Sequence, residues 1–543
     1  MRLWCRAGLG VVLGLAGAVG VSAVVWLRVP GTGAVPRPVP GGDVEIAWLH
    51  IPTAYEAWDN FVRGVKRAEQ PGVVVDHSAA YPEITTAVPE VVVRRDGVAG
   101  AVRLRWYKVT DSATLEDWVA ALARRNPPPL AVIGGWSSDR AISLAEALRD
   151  ADWRDRRPLY FLTQATADQV APGGSDPVAP GGSGPVAPPL ISLYPRSFRL
   201  CFTNRQMARA VTDFVLSDPS LCPGPVLPAG LRSLPLAPAG GWAVLVASAA
   251  ETHLARTPSA GFAVRWEDDP YSKDLSFKFR EEFRRQMATA GLPELQTTLF
   301  SVPFSTGRMN RANPAEAQVA EEILARLPPP DRRAVVIVPT VSAPARRTLE
   351  AVVRGNPSIG RRLVAVTGDG LSVNTFFRDR EYAWPIRALP VPFVLFTHDH
   401  PFRWDRPDAD PPPPPGYELP EPKPGTVYSS SEDVQLYNRL ARMIIASVFP
   451  DDRPGVLSDP EAVADRLHRL DPPFFDVAGN RRDDTGEHIV LVRPVFPGDG
   501  REGRAAPAPE ATLEVFTRPP GRAGWQRIHL LHLDQKLAAP ANR

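Results

Sequence analysis

From Val44 onward, short apolar runs alternate with amphipathic stretches, and this alternation constrains the fold more than any other feature of the chain. Val44 to Leu49 has the run length of a strand. Tyr55 to Glu69 places Trp58, Phe61, Val62 and Val65 at helical spacing. Val102 to Val109 predicts the next strand, with Ser112 as N-cap of a helix carrying Leu115, Trp118, Val119 and Leu122. Leu130 to Ile133 then runs into Gly134-Gly135 and a helix through Leu148, and Leu159 to Thr163 is a further strand. Such a rhythm predicts a parallel sheet covered by helices on both faces.

The rhythm breaks at Val170 to Pro189, VAPGGSDPVAPGGSGPVAPP, where an eight-residue unit occurs twice and begins a third time. A segment so poor in large apolar side chains cannot offset its own ordering entropy, and it reads as a loop. A second α/β series follows. Its helices are Met207 to Leu216, Ser272 to Ala290 and Ala343 to Arg354. Its strands are Trp242 to Ala247, Ala334 to Val338, Arg362 to Val366 and Val391 to Phe396. Asp408 to Gly425 is proline-rich, Ser430 with Asp433 can cap a helix from Val434 to Val448, and Ile489 to Arg493 and Leu513 to Phe516 read as late strands. Two blocks of about 150 residues point to two similar lobes rather than one large sheet.

The N-terminus adds an address. Ala7 to Leu27 is an uncharged apolar run, long enough to cross the roughly 30 Å of a bilayer core as a helix, with Arg2 and Arg6 before it. The expected protein is a single-pass membrane protein whose body lies outside the cytoplasm, in the periplasm. A cleaved signal ending near Val21-Ser22-Ala23 would release that body to the same compartment. In an oxidising compartment Cys201 and Cys222 either pair or stand as two small thiols.

Charge excludes one function class. With 62 Lys+Arg against 60 Asp+Glu the net charge is +2, too balanced for a nucleic-acid binder. The sequence lacks a nucleophile elbow, a P-loop and an H-E-x-x-H helix. Gly498 to Gly503 fits G-x-G-x-x-G only formally, because no first strand precedes it. His398 and His400 could ligate a metal from one side of an extended segment, but no third ligand stands at a recognisable spacing. Glu267-Asp268-Asp269 reads as a solvated acidic loop. No cofactor and no catalysis are expected.

Several segments, in order, resemble the type 1 periplasmic binding proteins, in particular the branched-chain amino-acid-binding and receptor ligand-binding group. They are AVIGGWSSDRAISLAEAL (Ala131 to Leu148), PLYFLTQAT (Pro158 to Thr166), FRLCFTNRQMARAVTDFV (Phe198 to Val215) and WEDDPYSKDLSFKFREEF (Trp266 to Phe283). VAVTGDGLS (Val364 to Ser372), VQLYNRLARMIIASVF (Val434 to Phe449) and PFFDVAGNRR (Pro473 to Arg482) continue the series. Ser272 stands where that family usually has Gly, and Asp76 to Gly100 is an extra stretch.

The resemblance implies two doubly wound parallel-sheet lobes joined by a hinge, closing over a small polar, amino-acid-like solute. The implied partner is an ABC-type transporter permease or a sensing protein. Expected boundaries are an anchor at 1–28, a Pro/Gly tether at 29–43, lobe 1 at 44–197, lobe 2 at 198–385, a return to lobe 1 at 386–470 and a return to lobe 2 at 471–543. It also implies that Ser137, Ser138 and Thr166 hold the anionic end of the solute, with Ala165 adding a backbone carbonyl from the neighbouring loop. Tyr271 would cover it, Asp369 with Gly370 would meet its cationic end, and Tyr55 and Trp58 would line the cleft. The rival reading is a binding fold turned non-catalytic envelope scaffold; a metal-dependent hydrolase using His398 and His400 ranks below it.

Overall fold

The computed structural model describes residues 33–84, 86–154, 156–169, 188–225, 259–290, 292, 294–303, 311–371, 391–397, 432–449, 457, 459–469, 476–477, 490–495, 511–517 and 525–533. The expected membrane run at Ala7 to Leu27, the strand at Trp242 to Ala247, His398 and His400, Gly498 to Gly503 and the proline-rich Asp408 to Gly425 lie outside these residues, as does nearly all of the repeat. Among the described residues, no helix is long and apolar enough to cross a membrane.

Lobe 1 grows from β1 (Val44–His50), whose alternate side chains enter opposite cores. The chain continues through α1 (Tyr55–Lys66), β2 (Val73–Asp76), β3 (Glu90–Arg95), β4 (Val102–Lys108), α2 (Leu115–Arg124), β5 (Ala131–Gly134), α3 (Ser138–Asp150), β6 (Leu159–Leu162) and β7 (Ser197–Arg199). The sheet order is β14-β7-β6-β5-β1-β4-β3-β2, with β14 formed much later by Asp476–Val477. From β7 through β4 the neighbours are parallel, whereas β3 and β2 run antiparallel at one edge. The extra stretch Asp76 to Gly100 supplies β3 of that pair, and β2 ends where the stretch begins. The cap of α2 is Thr114 rather than the expected Ser112, because Asp117 stands three residues on and completes a capping box with it.

One face of the sheet packs Trp48, Trp58, Phe61 and Trp106 against α1 and α8 (Glu432–Val448). The helices approach closely at Gly64, where a Cβ would lie 2.6 Å from that of Tyr437 and 2.8 Å from the Asn438 nitrogen. Asn438 fixes the crossing by donating from Nδ2 to the Gly64 carbonyl (3.1 Å). Trp58, expected to line the cleft, is 1% exposed and donates from Nε1 to the Ala80 carbonyl, so it belongs to the core.

Beneath β1 and β4 lies a buried charge network. Arg105 bridges Glu45 (2.6 Å) and Glu90, Arg125 reaches Glu45 (2.8 Å), and Arg103 reaches Glu90 (2.8 Å) and Asp43. The Tyr107 hydroxyl donates to Glu45 at 3.0 Å, and burial pushes its pKa up to about 12.

Lobe 2 begins at α4 (Asn204–Ser217) and β8 (Gly224–Pro225), then takes in β9 (Ser259–Trp266), α5 (Pro270–Thr289), β10 (Leu295–Val302), α6 (Pro314–Ala325), β11 (Arg332–Ile337), α7 (Ser342–Gly355), β12 (Leu363–Val366) and β13 (Phe393–Thr397). Its sheet order is β10-β9-β11-β12-β13-β15-β16-β17, completed by β15 (Val490–Val495), β16 (Ala511–Thr517) and β17 (Gln526–Leu533). The first five strands are parallel and the last three antiparallel.

Three expected boundaries move. β7 lies in the lobe 1 sheet, so lobe 1 runs through Arg199, past the 197 expected. β13 lies in the lobe 2 sheet, so the return to lobe 1 comes after Thr397 and not at 386. β14 pairs with β7, so Asp476 and Val477 still belong to lobe 1, past the boundary expected at 471. In between, α8 and α9 (Pro460–Arg469) pack on lobe 1.

Candidate functional site between the lobes

Each sheet has a place where helices leave adjacent strands toward opposite faces, and such switch points are where open α/β sheets bind ligands. In lobe 1, β1 leads into α1 on one face and its neighbour β5 into α3 on the other. In lobe 2, β9 leads into α5 and its neighbour β11 into α7, again on opposite faces. The loops between these strands and helices are 51–54, 135–137, 267–269 and 338–341. The lobes meet at these carboxyl ends: the Asn204 N–H donates to the Thr166 carbonyl (2.8 Å), and the Asp168 N–H to the Asp274 carboxylate (2.7 Å).

On lobe 1, Gly135 turns the chain from β5 into α3 at φ +77°, and a Cβ there would meet Ala141 Cβ and the Tyr160 hydroxyl, each at 2.7 Å. Only glycine combines that dihedral with that proximity. Ser137 occupies the N-cap position with extended backbone, yet its side chain makes no capping bond. Ser138 is buried and its Oγ accepts the Ala167 N–H (3.3 Å), tying the two site loops together. Ala165 accepts from the Cys201 thiol (3.3 Å). Thr166 is 1% exposed, and its Oγ1 has no hydrogen-bond partner among the described residues.

Behind this loop stands a residue that sequence reading passed over. Arg199, on β7, is 1% exposed and donates to the Ala167 carbonyl (2.8 Å); among the described residues no carboxylate pairs with it. A buried guanidinium there adds positive potential to that of the α3 N-terminus. The signal in the sequence was a charged residue between the apolar Phe198 and Leu200.

On lobe 2, Tyr271, Asp369 and Gly370 are brought together. The Tyr271 hydroxyl accepts the Gly370 N–H (2.9 Å) and donates to the Asp369 carboxylate. Burial first, then the Asp369 charge, holds the phenol well above its ordinary range. The loop can wrap the ring because Cβ atoms are missing: one at Gly368 would sit 2.9 Å from the Tyr271 hydroxyl, and one at Gly370 would sit 2.8 Å from the Thr340 carbonyl. Ser272, the departure from the expected Gly, is fully buried and its Oγ accepts the Trp266 N–H (3.1 Å). Asp269, expected in a solvated loop, is instead the buried N-cap of α5, bonded to the Tyr271 N–H.

Asn204 connects the two halves. Besides its bond to Thr166, its Nδ2 lies 3.4 Å from the Tyr271 carbonyl and 2.9 Å from Asp274. Toward the rim, Tyr55 is 56% exposed with its ring edge-on to Trp106, and the half-buried Trp136 stacks on His50 (centroids 4.3 Å apart). Burial pushes the His50 pKa down to about 3 and its Nδ1 accepts the Ile51 N–H, so this imidazole is neutral. Gln164 reaches Asp433 at the start of α8 (3.2 Å).

No disulfide joins Cys201 and Cys222: the latter's thiol donates to the Pro223 carbonyl, and burial pushes it up to about 11. Among the described residues, no group of three His, Cys, Asp or Glu could hold a metal ion.

No protein-family description matches the sequence, and no curated protein matches it. Solved structures do. A leucine binding protein from Thermotoga maritima is 13% identical with a TM-score of 0.43, covering 90% of this chain and 98% of its own. A solute binding protein of an ABC transporter from R. palustris, in complex with 4-hydroxybenzoate, is 10% identical with a TM-score of 0.44, covering 90% and 97%. A fatty acid ABC transporter substrate-binding protein from Thermomonospora curvata is 9% identical with a TM-score of 0.41, covering 86% and 92%. At these identities the similarity is one of fold.

Proposed function

We propose that the protein captures a small polar, amino-acid-like solute between its lobes and passes it, or news of it, to a membrane partner such as an ABC-type permease. The observation that carries this reading is the Asn204 bridge. It sets Thr166, beside the α3 N-terminus and Arg199, next to the Tyr271–Asp369–Gly370 cluster. Donors and positive potential on one lobe thus stand against a carboxylate on the other, an arrangement complementary to a zwitterion. Ser137, Ser138 and Thr166 hold the anionic end, and Asp369 the ammonium. In this reading Ala7 to Leu27 tethers the body to the membrane, and the role is one of binding, with no reaction.

Isothermal titration of the full chain against a panel of amino acids tests it. For an amine that binds, Asp369→Ala is expected to weaken affinity by roughly 10- to 100-fold, the worth of one charge-assisted hydrogen bond. An unchanged affinity would remove Asp369 from the site, and a panel in which nothing binds would remove the amino-acid reading.

A further inference from the structure

The seam between the lobes carries two carboxylates, each of which accepts a backbone N–H from the other lobe. Asp168 belongs to the lobe 1 loop after β6, and Asp274 to α5 of lobe 2. Asp274 Oδ2 accepts both the Asp168 N–H (2.7 Å) and the Asn204 Nδ2 (2.9 Å). Asp168 Oδ2 accepts the Arg205 N–H (2.7 Å), so bonds cross the seam in both directions. Asp274 is 4% exposed and Asn204 fully buried, which keeps water from screening the pair.

The charged groups around Asp274 come from each element packed on α5. The lobe 1 loop brings Asp168, and α4 brings Arg205, whose guanidinium turns toward Glu281 (3.8 Å). Its own helix brings the buried Lys278, whose ammonium lies 3.9 Å from Glu281. Strand β9 brings Arg265, turned to Ser301 (3.2 Å), and β10 brings no charge. Helix α3 brings Asp139, which acts on Asp269.

Burial, then the Asp168 charge, raises Asp274 to about 7, and Lys278 opposes them. Asp269 is likewise raised to about 7, by burial with Asp139 contributing. Both raised groups therefore belong to lobe 2 and both face an aspartate of lobe 1.

We propose that docking of the two lobes takes up a proton at the Asp168–Asp274 seam, so that closure is proton-linked. The proton comes from solvent to Asp274 Oδ1, leaving Oδ2 to keep both accepted bonds while the like-charge repulsion vanishes. With the lobes apart, Asp274 is a hydrated carboxylate with a pKa near 4. A group whose pKa is higher when docked favours docking as pH falls through the docked value, and the gain is lost as pH rises through it. The docked arrangement is thus strengthened toward pH 6 and weakened toward pH 8. Its consequence for capture rests on the solute-binding reading; docking itself does not.

Hydrogen exchange at the Asp168 and Arg205 amides, corrected for intrinsic rates and measured on the full chain without added solute, tests the linkage. One proton taken up near pH 7 raises protection about 10-fold between pH 8 and pH 6. Asp274→Asn keeps one acceptor oxygen and presents an amide like the protonated acid, so its protection is expected to lose the pH dependence that Asp274 contributes, leaving only what Asp269 adds. Flat protection in the parent protein, or a parent-like slope in Asp274→Asn, overturns the proposal. If that variant lacks native near-ultraviolet dichroism, Asp168→Asn takes its place; it removes the like charge but not the burial and is expected to reduce the slope, and an unchanged slope overturns the proposal. Because no solute is present, a negative result here leaves capture standing, while a panel that binds nothing alongside an intact slope removes capture alone.

Discussion

Arg105→Ala is expected to destabilise the protein by about 3–5 kcal/mol, read as a fall in the first urea midpoint of the full chain. The guanidinium is 1% exposed and, among the described residues, is the one cation bonded to both Glu45 and Glu90, themselves 0% and 4% exposed as side chains. Removing it leaves two carboxylates near each other without the charge that justified burying them, and Arg103 and Arg125 each reach only one of them. Replacing all three by apolar residues of similar size, Glu45→Met, Glu90→Leu and Arg105→Met, should recover much of the loss, because buried ion networks are seldom more stabilising than a packed apolar substitute. A single-variant shift below about 1 kcal/mol would show that water reaches the network, contrary to its burial.

Trp48→Ala should cost about 3–5 kcal/mol, the range for deleting a large buried aromatic side chain. Its ring lies within 5.6 Å of the centroids of His50, Trp58, Phe61 and Trp106, and it is 1% exposed. A cavity there cannot collapse easily, since its walls are rings anchored on a sheet and on α1. Trp48→Phe, which keeps an aromatic plane, should lose far less. The two variants are told apart by urea midpoint and by near-ultraviolet dichroism, since Trp48 also supports the His50 ring on which Trp136 stacks. Equal losses for Ala and Phe would contradict the packing account.

The lobes were legible because the apolar spacing of Val44 to Leu49, Tyr55 to Glu69 and Ala334 to Val338 matches one period each, and β1, α1 and β11 appear where that spacing puts them. β2 and β3 were harder to see: VVVD and EVVVRR form an antiparallel edge that a search for crossover helices reads as an interruption. The cap at Thr114 was written in the sequence as Thr-x-x-Asp, two residues after a serine that drew attention first.

At the site, Ser137, Thr166, Tyr271 and Asp369 were singled out through the resemblance of short motifs. The Asp168–Asp274 contact spans 106 positions, and neither residue carries a local mark of its partner. Arg199 carries no motif of its own, and only its burial beside the Ala167 carbonyl marks it. Trp58 and Trp136 show the limit from the other side: both are tryptophans on the carboxyl side of a strand, and it is packing against Trp48, Phe61 and Trp106 that puts Trp58 in the core while Trp136 stays at the rim on His50.

The Gly64–Asn438 crossing has a consequence for synthesis. The two residues are 374 positions apart, so the sheet and α1 leave the ribosome long before the helix that covers them. At roughly 5–20 residues per second the delay is on the order of 20–70 s. During that interval Phe61, Val65, Val93 and Leu104 present an apolar face without the Leu440 and Ile444 side chains that cover it in the native fold. A chain ended at Cys222 should therefore bind a hydrophobic dye strongly where the full chain does not. Whatever machinery handles this protein as it is made must shield that face until residue 448 arrives.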